Sequence, residues 1–451
     1  VLAQPPSSPQ RWAPHRDPTP SVIVGTRSVV FAPLDSVGLI WVEGEEDSAL
    51  KEPKEPRYHA RDVACLRAKQ ARALVVLASE HPSLESHFDT EAEVHHIPQD
   101  MTLQPKIELV DLGKESGNPL LSQGLRSAMR DALERNRRIL LFLNRRGYAR
   151  TLTCRDCGWV PRCSSCTVAL AYYRTAGSLT CRYCGVAEEL PDACPLCKAA
   201  SVRAVGQGTE QVEAETHRLF PHATIVRLDG DTLRTPATAR LLWERARSRS
   251  CDILIGTQVL FTREPLPRHH LVGILQADSG LHVSDFRAAE RTYHLLVDAA
   301  SLAYPISSEG RVILQTRLPS HHTVRALLSG DPHQFYNEEF AARRLLNYPP
   351  LCHLADLTVT GHSRTLVEEV ATRWGADLQQ LPSVGEHMVV LGPVPTLGKG
   401  PRGQHHCRLL VKGADPDILA RRLQQSVEDM ERQYRQRQIK FVVDMDPVES
   451  G

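Results

Sequence analysis

The feature that most constrains this chain is a group of cysteines. Eight of its twelve cysteines lie between Thr153 and Cys197, arranged as four Cys-x-x-Cys pairs. A Cys-x-x-Cys turn can place two thiolates about 2.3 Å from one Zn²⁺, and two such turns complete a tetrahedron. The four pairs therefore predict two closed sites of four cysteines each. The ions in such sites are structural, because no ligand position is left for a reactive water.

Spacing alone permits three ways of combining the four pairs. In the nested arrangement the two outer pairs form one site and the two inner pairs form the other, which brings the ends of the stretch together. Redox dithiols, disulfides and an iron–sulfur cluster are the alternatives, since all of them use cysteine sulfur. The nested sites consist of Cys154, Cys157, Cys194 and Cys197 for the first zinc ion and of Cys163, Cys166, Cys181 and Cys184 for the second.

Length and composition set limits on the rest of the chain. A chain of 451 residues is too long for a single hydrophobic core, which predicts two or more domains. Its net charge of +1 gives no overall attraction to nucleic acid, so any DNA contact has to come from local patches. No apolar run approaches the roughly 20 residues that span a bilayer, and no secretion signal is recognisable. We therefore expect a reducing cytoplasm and no membrane partner, and we expect residues 1–20 to be a disordered or truncated edge.

Hydrophobic periodicity predicts strands that alternate with helices on both sides of the cysteine stretch. Strands are predicted at 21–26, 37–43 and 139–144, and Ser122 is expected to cap a helix. Such alternation is typical of a parallel sheet that is covered on both faces. The last part of the chain instead has the order of a split β-α-β-β-α-β domain.

Arginines and aromatic residues are interspersed with the clustered cysteines. Cations beside aromatic faces suit single-stranded nucleic acid, through phosphate neutralisation and base stacking. The alternative is that these rings pack a small domain that has few aliphatic residues. The residues concerned are Arg155, Arg162, Arg174, Arg182, Trp159, Tyr172, Tyr173 and Tyr183.

A series of motifs runs along most of the chain, from about residue 21 to residue 449. In order they read VIVGTRSVVFAPL, RYHARD, LFLNRRGY, the four cysteine pairs, GQGTE, RLDGDT, ILIGTQ, DFRAAERT, VILQT, NYPP, LGPVP and DMDP. With these motifs the chain resembles the PriA family of primosomal replication-restart helicases.

The resemblance implies an α/β fold with two RecA-like helicase lobes, the first of them truncated. It also implies a two-zinc insertion in the second lobe, with nested pairing, and a C-terminal α+β domain that helps to bind branched DNA. Members of the family recognise stalled forks, reload the replicative helicase, and unwind DNA from 3′ to 5′ with ATP. Carried onto this sequence, the domains are a remnant of lobe 1 at 21–112, lobe 2 at 113–151 and 200–318, the insertion at 152–199 and the C-terminal domain at 330–451.

The chain departs from the family where ATP is expected to be hydrolysed. No G-x-x-x-x-G-K-[ST] phosphate-binding loop occurs in it. The Asp-Glu-Glu-His of the family reads Glu-Gly-Glu-Glu at 43–46, which replaces the magnesium-holding Asp and the catalytic Glu. The coupling turn at 78–82, the lysine-glycine element at 261–264 and the arginine element at 301–305 are substituted as well. These changes argue against bound ATP and Mg²⁺. Whether the chain hydrolyses ATP as an enzyme is therefore uncertain from the sequence.

Two carboxylates remain in the substituted stretch. Glu45 and Glu46 could hold a metal ion, although adjacent carboxylates at a strand end are more often solvated. We therefore expect a solvated strand end at this position.

Five basic residues are candidate DNA contacts. Arg287 and Arg291 lie one helical turn apart in DFRAAER and could face DNA, the cleft between the lobes, or an ordinary salt bridge. Lys399, Arg402 and Arg408 flank a glycine-rich turn, where backbone can approach phosphates closely.

Three readings of function follow. The first is a PriA-family protein that binds branched or forked DNA, including single-stranded DNA, and promotes reloading of the replicative helicase without being a motor. Its expected partners are other primosome or helicase-loading proteins, with single-stranded DNA-binding protein as a further one. The second reading is an active ATP-dependent 3′–5′ helicase whose nucleotide-binding loop lies outside this chain. The third is an interaction protein without affinity for DNA.

Overall fold

The computed structural model divides the chain into two compact units. One unit combines the described residues up to Val94 with Tyr348–Val390 and those from Pro395 onward, and the other holds His95–Asn347 together with Leu391–Val394. The predicted edge at residues 1–20 lies outside the described part of the chain. The structure describes residues 22–34, 36–89, 92–97, 104–115, 119–144, 152–154, 156–173, 178–200, 202–204, 208–261, 265–380, 388–395, 403–435 and 437–448.

The first part of the chain is a small parallel β-α-β arrangement. Its two strands pair in register, with Leu39 opposite Leu74, and a cluster around Val42 and Ala64 packs the helix onto one face. The strand predicted at 21–26 is wrong, because the described residues there hold only an isolated bridge at Ile23 and the valines on either side of it are exposed. The elements are β1 (Leu39–Glu43), α1 (Ala60–Ala71), β2 (Leu74–Ala78) and α2 (Leu84–His87).

The second unit is built on a six-stranded parallel sheet. The elements outside the cysteine insert are β3 (Lys106–Asp111), α3 (Gln123–Glu134), β4 (Ile139–Leu143), α4 (Thr209–Leu219), β10 (Ile225–Leu228), α5 (Pro236–Arg247), β11 (Ile253–Gly256), β12 (Leu271–Leu275), α6 (Ala288–Ser301), β13 (Arg311–Thr316), α7 (His322–Ser329) and α8 (Pro332–Leu345). The strands lie in the order β10-β11-β4-β12-β13-β3.

Apolar side chains cover both faces of this sheet, which confirms the predicted parallel sheet. All five residues of β4 are buried, since alternate side chains point to opposite faces and each face carries helices. Leu140 and Phe142 join one cluster, while Ile139, Leu141 and Leu143 join the other. Strand β3 pairs with β13 and therefore belongs to this sheet. The predicted boundary between the two lobes, at residue 112, comes one strand after the first strand of the sheet.

Ser122 caps α3 as predicted. Its Oγ accepts a hydrogen bond from the backbone N–H of Leu125 at 3.2 Å, and the side chain is fully buried. Leu125 and Met129 face the sheet from this helix.

The cysteine stretch forms an insert between β4 and α4. Its first and last strands pair with each other, Leu152 opposite Ala204, so the insert extends past the boundary drawn at 199. A three-stranded antiparallel sheet lies between them. The strands are β5 (Leu152–Cys154), β6 (Ala171–Tyr173), β7 (Ser178–Thr180), β8 (Ala187–Glu189) and β9 (Val202–Ala204).

The last part of the chain has the predicted strand–helix–strand–strand–helix–strand order. The elements are β14 (His353–Gly361), α9 (Arg364–Gln380), β15 (Val389–Pro395), β16 (His405–Gly413), α10 (Pro416–Tyr434) and β17 (Lys440–Met445). The four-stranded sheet has the order β15-β16-β14-β17, and β14 pairs antiparallel with both neighbours. Trp374 and Phe441 meet edge to face in its core, with ring centroids 5.2 Å apart.

A salt bridge joins the two parts of the first unit. Lys51 Nζ lies 3.0 Å from Asp444 Oδ1 and also donates to the carbonyl of Met445 at 2.5 Å.

No helix in the described part of the chain combines the length and the apolar character that a membrane-spanning helix needs.

Candidate metal centres and the predicted site residues

The four Cys-x-x-Cys turns share one backbone geometry. In each turn the residue after the second cysteine has a positive φ angle and donates its N–H to the carbonyl of the first cysteine. This left-handed residue closes the turn, so that both sulfurs can point to the same side. The closing residues, with φ and hydrogen-bond length, are Gly158 (74°, 3.0 Å), Thr167 (55°, 2.9 Å), Gly185 (79°, 3.1 Å) and Lys198 (63°, 2.9 Å).

A second backbone hydrogen bond reinforces each turn. The N–H of the first cysteine donates to the carbonyl five residues further on, so that the chain doubles back beneath the pair. These bonds are Cys154 N to Trp159 O at 2.8 Å, Cys163 N to Val168 O at 3.0 Å, Cys181 N to Val186 O at 2.8 Å and Cys194 N to Ala199 O at 2.8 Å.

The structure brings the eight cysteines together as two nested groups. Within each group the four cysteine sulfurs all lie within 4.8 Å of one another. Three of the distances between turns are 3.6 Å, namely Cys154 Sγ to Cys197 Sγ, Cys157 Sγ to Cys194 Sγ and Cys163 Sγ to Cys184 Sγ. The outer group is Cys154, Cys157, Cys194 and Cys197, and the inner group is Cys163, Cys166, Cys181 and Cys184.

This geometry suits one tetrahedral ion in each group. Ligand sulfurs about 2.3 Å from a Zn²⁺ are about 3.8 Å apart along a tetrahedron edge, close to the 3.6 Å between the sulfurs here. Four thiolates also form a soft donor set, which selects zinc or an iron–sulfur cluster over oxygen-seeking ions. Both groups could therefore hold a structural metal ion.

The crowding of sulfur in the inner group shifts the ionisation of its thiols. A hydrogen bond from Cys166 lowers the pKa of Cys181 to about 5, and the same bond raises the pKa of Cys166. Burial, partly offset by a backbone hydrogen bond from Val186, raises the pKa of Cys184 to about 11. Full ionisation of all four thiols thus needs a bound cation, because four neighbouring negative charges repel one another.

Glu45 is buried among protein donors at the end of β1. Its two oxygens accept from Ser83 N at 2.5 Å, Ser83 Oγ at 3.0 Å, Ser86 Oγ at 2.8 Å and Arg61 Nη1 at 2.9 Å. The side chain is 1% exposed, so the expected solvated strand end is wrong for this residue. The reason is tertiary, since all three partners lie in elements that follow β1 in the sequence.

The side chain of Glu46 contacts the second substituted stretch, residues 78–82. Burial alone raises its pKa, but hydrogen bonds from His81 and Ser79 bring the pKa below the usual value. Gly44 N also donates to Ala78 O at 2.9 Å. The structure therefore brings the stretches at 43–46 and 78–82 together, while residues 262–264 of the third stretch lie outside the described residues.

The fourth substituted stretch ends α6. Ser301 Oγ donates to the carbonyl of Asp298 at 2.8 Å, and Tyr304 N donates to the carbonyl of His269 at 2.8 Å. These bonds close the helix and return the chain towards β13.

Arg287 and Arg291 lie at the start of α6, one turn apart as predicted. Arg291 Nη1 lies 3.1 Å from Asp285 Oδ2, and its side chain is 35% exposed. The guanidinium of Arg287 lies 4.3 Å from the centroid of the Phe286 ring. The predicted DNA contact of these two arginines stays a prediction.

Arg408 lies within strand β16, where it is 14% exposed. Its Nη2 lies 2.6 Å from Asp356 Oδ2, and burial raises the pKa of Asp356 although Arg408 opposes that shift. A phosphate at Arg408 has to compete with this internal partner. Lys399 and Arg402 lie outside the described residues.

Sequence reasoning missed the partners of Glu45 and the left-handed closing residues of the cysteine turns. Glycine at positions 158 and 185 was a usable signal, because glycine favours positive φ. Threonine at 167 and lysine at 198 carry no such signal, and neither do the serines that surround Glu45.

The fold and the site define a class: an α/β protein that carries two four-cysteine candidate metal clusters on an insert in its parallel-sheet domain and has a C-terminal domain with an antiparallel sheet. Residues 344–448 match the family model for the primosomal protein N C-terminal domain. With the similarities given next, this shows that the chain belongs to the PriA family, as the sequence motifs predicted.

Curated relatives extend the similarity over most of the chain. Replication restart protein PriA of Bacillus subtilis (strain 168) is 33% identical over 434 residues, which are 94% of this chain and 54% of the relative. The protein of the same name from Treponema pallidum (strain Nichols) is 36% identical over 396 residues, 87% of this chain and 60% of the relative. That of Haemophilus influenzae (strain ATCC 51907 / DSM 11121 / KW20 / Rd) is 30% identical over 442 residues, 97% of this chain and 60% of the relative. The chain thus spans between half and two thirds of the length of these relatives.

Proposed function

We propose that this chain acts in replication restart, binding branched or forked DNA and promoting reloading of the replicative helicase without helicase activity of its own. The relatives that support this role are named replication restart protein PriA. The partners in this role are forked DNA with its single-stranded segments and other primosome or helicase-loading proteins. Single-stranded DNA-binding protein is a further candidate partner.

Each four-cysteine group holds one zinc ion in this proposal. The nested grouping and the 3.6 Å sulfur separations support it. Because both sites are closed, the ions hold the fold of the insert and take no part in a reaction.

The parallel sheet of the second unit is the second RecA-like lobe in this proposal, and β1 with β2 is the remnant of the first. Six parallel strands with apolar clusters on both faces support the assignment of the second lobe. The assignment keeps the lobes as a scaffold for the insert and for the C-terminal domain.

The observation that carries the absence of motor activity is the motif at 43–46, where Glu43 replaces the magnesium-holding Asp of the family and Gly44 replaces its catalytic Glu. The buried carboxylate that remains in this motif, Glu45, has its oxygens occupied by four donors from Arg61, Ser83 and Ser86. A carboxylate whose lone pairs are already used by internal hydrogen bonds is not available to hold Mg²⁺.

Hydrolysis of ATP by the natural full-length polypeptide, measured with and without forked DNA, tests the absence of a motor. We expect no turnover above background. Turnover that DNA stimulates, and that a substitution in the nucleotide site abolishes, would replace this proposal with the active 3′–5′ helicase.

Binding to a forked oligonucleotide across a salt series tests the DNA contact. We expect the logarithm of affinity to fall linearly with the logarithm of salt concentration. The double substitution Arg287→Ala with Arg291→Ala should lower that slope by about 1 to 2, since each lost phosphate contact removes about 1. Arg240→Ala is the matched control, because this arginine is 83% exposed on α5 and pairs with Glu244. Absence of binding at low salt favours the interaction protein without DNA affinity.

A further inference from the structure

Residues 281–286, here called the strap, connect the end of the β12 region to α6 and lie against the cysteine insert. Four of the six residues of the strap contact the insert, through one backbone carbonyl, one backbone N–H and two side chains of the strap. The contacts are Arg162 Nη2 to Leu281 O at 3.4 Å, Thr153 Oγ1 to His282 Nδ1 at 3.3 Å, Ser284 Oγ to Ala169 O at 2.5 Å and Phe286 N to Tyr183 Oη at 3.3 Å.

Tyr183 belongs to the inner cysteine group by sequence and by position. It lies between Cys181 and Cys184 and is 1% exposed, and its backbone N–H donates to Cys181 Sγ at 3.4 Å. The inner group therefore determines where the hydroxyl of Tyr183 lies. That hydroxyl accepts the hydrogen bond from Phe286 N at the end of the strap.

The end of the strap sets the two arginines at the start of α6. Asp285 Oδ1 accepts from the backbone N–H of Arg287 at 2.9 Å, and Asp285 Oδ2 accepts from Arg291 Nη1 at 3.1 Å. The Phe286 ring has the guanidinium of Arg287 at 4.3 Å and that of Arg343 at 5.1 Å. A shift of residues 285–286 therefore moves the side chains of both Arg287 and Arg291.

Arg343 is itself held firmly. It is 2% exposed, and its guanidinium pairs with Glu339 at 3.0 Å and with Glu290. Phe286 is thus held between this anchored guanidinium on α8 and the inner cysteine group, which reaches it through Tyr183.

We propose that Tyr183 is a positioning residue that couples metal binding in the inner four-cysteine group to the placement of Arg287 and Arg291, and through them to affinity for the phosphates of forked DNA. This inference rests on the proposed function for its DNA partner. The cysteines of the inner group would hold a metal ion that fixes the Cys181 turn. The hydroxyl of Tyr183 accepts the hydrogen bond from Phe286 N, and Asp285 of the strap holds both arginines.

The test is Tyr183→Phe in the full chain, which removes the hydroxyl and keeps the buried ring. Tyr293→Phe is the matched control, because Tyr293 lies on α6, its side chain is also buried, and its hydroxyl makes no hydrogen bond to the strap among the described residues. The measurements are zinc per chain, hydrogen exchange in peptides that cover residues 284–291, and affinity for a forked oligonucleotide.

For Tyr183→Phe we expect unchanged zinc content, faster exchange of the Phe286 amide by about 10-fold, and about 2- to 10-fold weaker DNA binding, the effect of one lost hydrogen bond. Tyr293→Phe should match the wild type in all three. Unchanged exchange at 284–291, or faster exchange with full DNA affinity, overturns the coupling. If the wild type itself binds no DNA, the proposed function fails, and the exchange result alone decides whether Tyr183 holds the strap.

Discussion

Gly158 shows how one residue can decide the geometry of a metal site. It closes the first cysteine turn with a φ of +74°, and a Cβ added there would lie 2.7 Å from Arg317 Cβ. Two constraints thus coincide at this position, because a side chain is disfavoured both by the left-handed backbone and by the close approach of the neighbouring segment.

Gly158→Ala is therefore expected to lower the free energy of unfolding of the insert by about 1 to 3 kcal/mol. Zinc should also leave the outer group faster when a chelator is added. Thr167→Gly, at the equivalent position of the second turn, is the control. Its relief of left-handed strain is offset by the greater freedom of glycine in the unfolded chain, so its net effect should stay within about 1 kcal/mol. Equal stability of Gly158→Ala and the wild type would contradict this view of the turn.

At the scale of elements, Glu45 ties the end of β1 to α1 and to the start of α2. Replacing it by glutamine keeps its size but turns one acceptor oxygen towards donors as an NH₂ group. We expect Glu45→Gln to lower the free energy of unfolding of the first unit by about 1 to 3 kcal/mol, the range for a buried polar group left without a partner.

Glu43→Gln provides the comparison, since Glu43 accepts one exposed hydrogen bond, from Trp41 Nε1 at 2.7 Å. Chemical denaturation of both variants is the measurement, and Glu43→Gln should behave like the wild type. If Glu45→Gln were as stable as Glu43→Gln, the role of Glu45 as an internal link between elements would be wrong.

The insert is the second element whose stability can be tested. Cys184→Ser removes one sulfur from the inner group, and the zinc content should fall from two ions per chain to one. The strands β6, β7 and β8 should then lose protection from protease, because metal binding supplies much of the folding free energy of such modules. Elemental analysis and limited proteolysis measure the two effects. Two retained ions with unchanged protease resistance would refute the prediction.

At the scale of the whole molecule, buried histidines make the second unit sensitive to acid. Burial, together with the nearby charge of Arg138, lowers the pKa of His269 to about 3. The residue is 1% exposed, and neither ring nitrogen has a hydrogen-bond partner among the described residues. Burial likewise lowers the pKa of His321 to about 3.

The lowered pKa values determine the direction in which stability changes with pH. Between the usual pKa of 6.5 and the folded value of about 3, the unfolded state binds the proton and the folded state does not. His269 should therefore contribute a loss of stability as the pH falls, about 2 kcal/mol between pH 8 and pH 5. Unfolding curves at these two pH values should show a smaller difference for His269→Leu than for the wild type. Equal differences would mean that His269 is protonated in the folded protein.

Local patterns predicted much of the architecture. The strand Ile139–Leu143, the Ser122 cap and the strand–helix order of the C-terminal domain were all predicted, because each depends on residues within one or two turns of chain. The strand predicted at 21–26 failed, since an apolar alternation specifies a strand only where a neighbour and a buried face exist.

The sequence by itself determined the composition of the two candidate metal sites, the alternation that builds the parallel sheet, and the family, because these depend on residue type and short spacing. Spacing alone left three pairings of the cysteine turns open, and the tertiary structure brings them together in the nested pairing that the resemblance implied. Only the tertiary structure decided where β3 and β9 pair and which donors surround Glu45. It also decided that Tyr183 touches the strap about 100 residues further along. Contacts between such distant segments depend on how whole elements pack, and no short stretch of sequence encodes that packing.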